Sequence, residues 1–298
     1  MSIFIVSDGK PGHQNQTIGL AEALIKVRAE TSYTLLEPLS FLSCLLILLG
    51  LKNVPYFDQP TSSDIILGAG HRTHWTLLTL KLKSKAFTAV LMKPSLPMSC
   101  FNLCIIPEHD NVPPSKRVFL TKGAINRVQP SNHLNPNKGL ILIGGESKHY
   151  RWDSESIIAQ LSENLAFTSR SWTLTTSRRT PDGFLSSLAE TNLPIEAIPF
   201  EQTDADWLPK QLQSNQEVWV SPDSVSMIYE ALSCGATVKI FELEKPKPNR
   251  INQSIDQLRS EKLVSLVGSS ETETAQKEPL QEANRTARYI VDQRKDIV

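Results

Sequence analysis

Short apolar runs alternate with helical stretches along most of this 298-residue chain. Residues 3–7 form a first apolar run, and 15–29 carry Ile18, Ala21, Leu24 and Ile25 at helical spacing. The six residues between, 8–13, hold Gly9, Pro11 and Gly12 and read as a turn, because neither a strand nor a helix continues through them. Strands are predicted at 33–36, 64–67, 87–92 and 103–106, and helices at 41–49 and 73–83. Brief runs with β-branched residues are what a parallel sheet covered on both faces requires. The polar, proline-bearing stretch 129–137 reads as a linker.

A second alternating series follows. Strands are predicted at 139–143, 171–175, 195–199, 218–220 and 236–241. Helices are predicted at 154–165, from Pro181 to about 189, and over 223–232, 251–260 and 277–294, with a polar stretch at 269–274. The fold class is therefore α/β, built from two Rossmann-like doubly wound domains facing across a cleft. The domains are placed at 1–130 and 138–275, and the amphipathic, charged 276–298 helix is expected to pack back on the first.

Composition narrows the function classes. With 40% apolar and 21% charged residues the chain is an ordinary globular protein. Lys+Arg and Asp+Glu both total 31, which argues against a nucleic-acid binder working by bulk charge. Cys44, Cys100, Cys104 and Cys234 show no paired metal-ligand spacing, so no metal is expected and free thiols in a reducing compartment are the simplest account. Residues 1–6 lack the basic region of a signal peptide, and a cytoplasmic location is expected. The most apolar segment, 39–51, falls short of the roughly 20 residues a membrane span needs. It is either a core helix or an apolar patch that touches a membrane surface.

The chemistry-bearing residues sit at strand ends, where ligands of such sheets bind. Asp223, Ser224 and Ser226 open a helix after an apolar strand, and Glu230 lies further along it. Hydroxyls and free N–H groups at a helix start hold phosphate, and a carboxylate beyond can accept from a ribose diol. An ordinary capped helix fits these residues equally well. Ser177, Arg178, Arg179 and Thr180 put two guanidinium groups at another helix start, where the dipole disfavours cations unless an anion joins them. Gly144 and Gly145 allow close backbone approach, as do Gly9 and Gly12, with His13 at the mouth of their turn and Gln16 one turn on. Gly70, His71 and Arg72 form a glycine turn without the spacing of a dinucleotide fingerprint. Glu108, His109 and Asp110 are consecutive, and neighbours in a loop rarely converge on one ion; contact with an acceptor at the cleft is the better expectation.

Assembled in order, these stretches resemble the mitochondrial-fission Elongated Mitochondria family, which has many bacterial members. The resemblance runs through Gly9, Pro11–Gln16 and 19–24, then Gly70–Thr73, 106–110, 121–127, 142–145, 175–181 and Asp223–Met227 with Glu230. It covers about 9–241, weakens over 197–216, where Ile198, Pro199 and Phe200 replace an expected Asn-Pro-aromatic loop, and is absent from the last stretch of the chain. The family is similar to glycosyltransferases of the GT-B fold. The resemblance implies a nucleotide-diphosphate sugar as donor substrate, an unidentified acceptor, and no bound metal or other cofactor; the apolar 39–51 stretch points to a lipid-linked acceptor if it is a membrane patch and not a core helix. It places Ser177, Arg178 and Arg179 near the diphosphate, Ser224 and Ser226 at its cap, Glu230 on the ribose, and His13 as the base for an acceptor hydroxyl. Epimerisation of the nucleotide-sugar on the same fold is an alternative, and a non-catalytic scaffold related to mitochondrial fission factors is another.

Overall fold

The structure is a computed structural model that describes residues 1–28, 32–204, 206–269 and 278–295. It divides into two compact units, one made of Met1–Arg127 with Glu282–Val298 and the other of Val128–Gln281.

The first unit carries β1 (Ile3–Val6), α1 (Pro11–Val27), β2 (Tyr33–Leu36), α2 (Phe41–Leu48) and β3 (Ile65–Ala69). It continues with α3 (His74–Ser84), β4 (Phe87–Leu91), β5 (Leu103–Pro107) and β6 (Val118–Thr121). The strands form one sheet in the order β2-β1-β3-β4-β5-β6, and every pairing is parallel. β1, β3, β4 and β5 are buried along their whole length, as their near-continuous apolar runs require.

The second unit carries β7 (Asn135–Leu142), α4 (Ser154–Leu165), β8 (Ser171–Thr175), α5 (Phe184–Glu190), β9 (Ile195–Ile198) and α6 (Trp207–Leu212). β10 (Asn215–Val220), α7 (Val225–Cys234), β11 (Thr237–Ile240), α8 (Arg250–Ser260) and β12 (Ser265–Leu266) complete it. Its sheet is also wholly parallel, in the order β12-β11-β10-β7-β8-β9. Trp172 and Trp219 meet at its centre, with ring centroids 4.4 Å apart. The chain then returns to the first unit as α9 (Glu282–Lys295), whose Ala287 and Ile290 are fully buried in the core that holds Leu20, Ala21 and Leu24 of α1.

Several boundaries differ from the sequence expectation. α1 begins at Pro11, not near 15, because proline suits the first helical position; Gly12 and His13 are therefore helical. β7 begins at Asn135, inside the polar stretch expected to be a linker, because Asn135 pairs with Asn215 before a bulge in the ladder. α5 begins at Phe184, since Gly183 is left-handed at φ 89° and stops the helix reaching back to Pro181. Of the residues given expectations above, 29, 270–277 and 296–298 lie outside the described residues.

Burial also sets a pH dependence in the first unit. His74 is 3% exposed, with Nδ1 2.9 Å from Ser95 Oγ. Burial, reinforced by nearby His71, lowers its pKa to about 4. The folded protein thus keeps His74 neutral while the unfolded chain takes up a proton below about 6.5. Stability is lost as pH falls from there toward the folded value. Between pH 7 and pH 5 this group should cost about 2 kcal/mol. Urea unfolding of wild type and His74→Gln at the two pH values checks it: the variant should lose clearly less stability on acidification, and equal losses would refute the assignment.

Candidate functional site

Each sheet reverses its strand order at one place, and the residues with chemistry gather there. In the first unit the reversal lies between β1 and β3. Asp8 follows β1, and its fully buried carboxylate lies 3.0 Å from His13 Nδ1 through both oxygens. Gly9, at φ 79°, turns the chain between them, and Lys10 N–H donates to Asp8 Oδ1 at 3.2 Å. Burial alone raises the Asp8 pKa, but the hydrogen bonds from His13 and Lys10 and their charges outweigh it, so the net shift is downward. An ionised Asp8 accepting from Nδ1–H leaves His13 Nε2 as the nitrogen available to take a proton. Gly70, after β3, closes over the pair. A Cβ there would fall 2.5 Å from the His13 ring and 2.9 Å from Asp8 Oδ2, and its φ of 86° is left-handed as well.

The other first-unit candidates have different surroundings. His71 and Arg72 form an exposed 3-10 turn leading to α3. Gln16 reaches Met92, with Nε2 3.9 Å from the sulfur. Glu108, His109 and Asp110 make a 3-10 turn after β5, which β3 and β4 separate from β1. Gly12 has open space where a Cβ would stand, so no close approach explains it.

In the second unit the reversal lies between β7 and β10. Gly144 and Gly145 follow β7; Ser221 and Asp223 follow β10. Gly144 N–H donates to Ser221 Oγ at 2.7 Å, and Gly145 N–H to Asp223 Oδ2 at 2.9 Å. The same Asp223 oxygen takes Arg179 at 2.7 Å, and Arg179 Nη1 also donates to the Glu146 carbonyl at 3.0 Å. Ser177 Oγ and Thr180 Oγ1 both donate to the Gly144 carbonyl. Space demands the glycines: a Cβ on Gly145 would lie 1.8 Å from the Arg179 carbonyl oxygen, and one on Gly144 2.1 Å from Asp223 Oδ2. Three loops are thus tied through one buried carboxylate, whose Oδ1 has no hydrogen-bond partner among the described residues.

The two arginines have separate surroundings. Arg179 is held by Asp223 and Glu146, whereas Arg178 lies over the Phe200 ring at 5.5 Å and makes no ion pair among the described residues. Ser224 stands at the N-cap of α7 without its side chain capping the helix, and no acidic residue lies in the first turn. Ser226 and Glu230, four apart on α7, share one face. Beside Pro222 opens a cavity of about 550 Å³ lined by Tyr150, Phe241, Leu243, Ile255 and Arg259, among others. The Tyr150 hydroxyl is buried without a partner among the described residues, and burial, then the charges of Asp256 and Asp223, push its pKa up.

Phe200 and Tyr150 are absent from the sequence-level candidates; Asp8, Glu146 and Ser221 lie within the strand-end loops 8–13, 144–147 and 221–226 that the sequence singles out, but it assigns them no partner. No three His, Cys, Asp or Glu side chains gather as a metal site among the described residues.

Three solved structures share the fold over nearly all of this chain. The UDP-GlcNAc 2-epimerase from Methanocaldococcus jannaschii is 10% identical, with a TM-score of 0.54 over 98% of this chain and 100% of its own. MurG from Acinetobacter baumannii is 10% identical, with a TM-score of 0.54 over 98% and 99%. MnaA from S. aureus, solved with UDP, is 13% identical, with a TM-score of 0.51 over 98% and 88%. The fold is the two-domain, Rossmann-like GT-B fold. In sequence, the uncharacterized protein RP120 of Rickettsia prowazekii (strain Madrid E) is 23% identical over 351 residues, covering 97% of this chain and 98% of its own. A family model described as mitochondrial fission ELM1 matches residues 11–293. With nearly the whole chain matched, this protein belongs to the mitochondrial fission ELM1 family.

Proposed function

We propose that the protein is a glycosyltransferase that takes a sugar from a nucleotide-diphosphate sugar and needs no metal. One observation carries the donor half: at the β7–β10 junction the α7 start has no side-chain cap and Asp223 next to it is neutralised by Arg179, while Arg178, the preceding residue of the same loop, makes no ion pair among the described residues. That combination leaves net positive potential for a diphosphate. Arg178 meets the phosphate oxygens, with Ser224, Ser226 and the α7 N–H groups capping them. Arg179 holds the loop in shape. Glu230 accepts from the ribose hydroxyls. Gly144, Gly145, Ser177 and Thr180 build the loops that bring these groups together. The positive groups stabilise the diphosphate as it leaves, the task a metal performs elsewhere.

The acceptor chemistry belongs to the first unit. His13 Nε2 takes the proton of an acceptor hydroxyl while Asp8 holds the ring and stabilises its charged form. The acceptor oxygen bonds to the anomeric carbon, and the bond from that carbon to the diphosphate oxygen breaks. Fold-mates named as a UDP-GlcNAc epimerase and as a UDP complex support a uracil nucleotide, and also favour a second reading, epimerisation of the nucleotide-sugar itself.

Titration calorimetry of the full chain with UDP, GDP, ADP and CMP tests the binding half. UDP should bind, and Arg178→Ala and Glu230→Ala should each weaken it by about tenfold or more, as loss of a charge-assisted hydrogen bond does. Absence of binding by all four nucleotides, or unchanged affinity in both variants, would overturn the proposal. Incubation with UDP-GlcNAc and no acceptor separates the two reactions, since only an epimerase returns an isomeric nucleotide-sugar.

A further inference from the structure

The α2–α3 face of the first unit exposes apolar side chains in a pattern that the catalytic proposal does not use. α2 buries only Cys44 and Ile47. Its opposite side exposes Phe41 by 56%, Leu42 by 63% and Leu49 by 64%, with Leu45 between them on the same stripe. α3 packs beside α2 through Leu39 N–H, which donates to Thr76 Oγ1 at 2.8 Å. It extends the stripe with Trp75, edge-on to Phe41 at 4.8 Å, and with Leu82 two turns on, 58% exposed. Exposed apolar residues scattered singly need no explanation, but a contiguous stripe over two helices does.

Charge identifies what covers it. The chain as a whole has zero formal net charge. Yet residues 38–57 contain Lys52 and no acid, and residues 65–107 contain Arg72, Lys81, Lys83, Lys85 and Lys93 and no acid. Lys52, Arg72, Lys83, Lys85 and Lys93 are exposed, against two exposed acids, Glu37 and Asp58, which flank the first of these stretches, so the exposed charge over 37–107 is predominantly positive. A second protein surface of ordinary composition has no reason to be uniformly anionic, whereas a bilayer containing acidic lipids is. α2, with eight residues, is too short to cross the roughly 30 Å of a hydrocarbon core but suits lying in the headgroup boundary. Trp75 is the side chain that boundary favours.

We propose that the α2–α3 face docks on the surface of an anionic membrane. Phe41, Leu42, Leu45, Leu49, Trp75 and Leu82 enter the acyl boundary, and the exposed cations meet lipid phosphates. The full chain should cosediment with vesicles of equal phosphatidylcholine and phosphatidylglycerol, weakly with phosphatidylcholine alone, and less as salt rises. The triple variant L42S/L45S/L49S should lose at least about tenfold in partition. K83E/K85E should do the same without touching the apolar stripe. Near-ultraviolet circular dichroism confirms that each variant is folded, and the charge variant keeps the test open if the triple variant is not. Absence of a preference for the anionic vesicles, or equal partition of wild type and both variants, refutes membrane docking. Concentration-dependent dimerisation that the triple variant abolishes, with no vesicle binding, assigns the face to a second copy of the chain and refutes it too.

Discussion

Gly145→Ala should destabilise the second unit by about 3 kcal/mol, the largest stability loss expected of any single methyl group here, and should remove the proposed nucleotide binding. The added Cβ would stand 1.8 Å from the Arg179 carbonyl oxygen and 2.1 Å from its carbon, so backbone rather than a flexible side chain must give way. Any shift of the Arg179 backbone breaks the Glu146 N–H hydrogen bond to that carbonyl, 3.2 Å in the native loop, and pulls Arg179 from Asp223. The buried carboxylate then loses its counter-charge, which is the costly outcome. Trp172 and Trp219 lie in this unit, so urea unfolding followed by tryptophan fluorescence reports it. Gly12→Ala is the control: its Cβ meets nothing within 4 Å, and its effect should stay within about 0.5 kcal/mol. A Gly145→Ala protein with the wild-type midpoint and UDP affinity would show that the junction is not tied as described.

If the protein works as proposed, His13→Ala should lower transfer by about 10²–10⁴ while leaving UDP affinity unchanged, because the general base acts on the acceptor and not on the nucleotide. Asp8→Asn should cost a large part of the same factor, since an amide can no longer fix Nδ1–H or stabilise the charged ring. Release of UDP from UDP-GlcNAc in the presence of membrane lipid extract measures the rate. Nitrogen-15 spectra of labelled histidine supply an independent readout. Wild-type His13 should show Nδ1 protonated, and Asp8→Asn should show a mixture of tautomers. Rates equal to wild type in both variants would remove His13 from the mechanism and favour the epimerase or scaffold alternatives.

Much of the fold was legible because buried parallel strands announce themselves. β1, β3 and β5 are unbroken apolar runs and β4 is interrupted only by Thr88, and each was placed within a residue or two. β6 was missed: its four residues, Val118–Thr121, are short and only half buried at their centre. β12 is two residues long and leaves no periodicity. The start of β7 was hidden for the opposite reason, since Asn135, Pro136 and Asn137 have turn composition and are held in the ladder by pairing with β10.

The site divides similarly. Residues at strand ends stood out because their composition interrupts the apolar pattern. Their partnerships did not. Arg178 and Arg179 are indistinguishable as sequence, and only the close approach of Gly145 to the Arg179 backbone sends one to Asp223 and the other to Phe200. Asp8 looked like part of a turn until α1 proved to start at Pro11, which swings His13 back over it. The exposed side of α2 was equally unreadable, because an apolar helix fits a core and a surface patch alike until its neighbours are known.

The return of α9 to the first unit has a consequence for biosynthesis. The sheet of that unit is complete in sequence by Thr121, yet Ala287 and Ile290, which fill its core beside α1, are translated only after the entire second unit. The emerging chain therefore holds Leu20, Ala21 and Leu24 without their final cover while more than half of its length is still to be made. The second unit, contiguous from Val128 to Gln281, can close first, although it begins later. The first unit can reach its final packing only after the whole second unit has been made, and until then its α1 face lacks the cover that α9 provides.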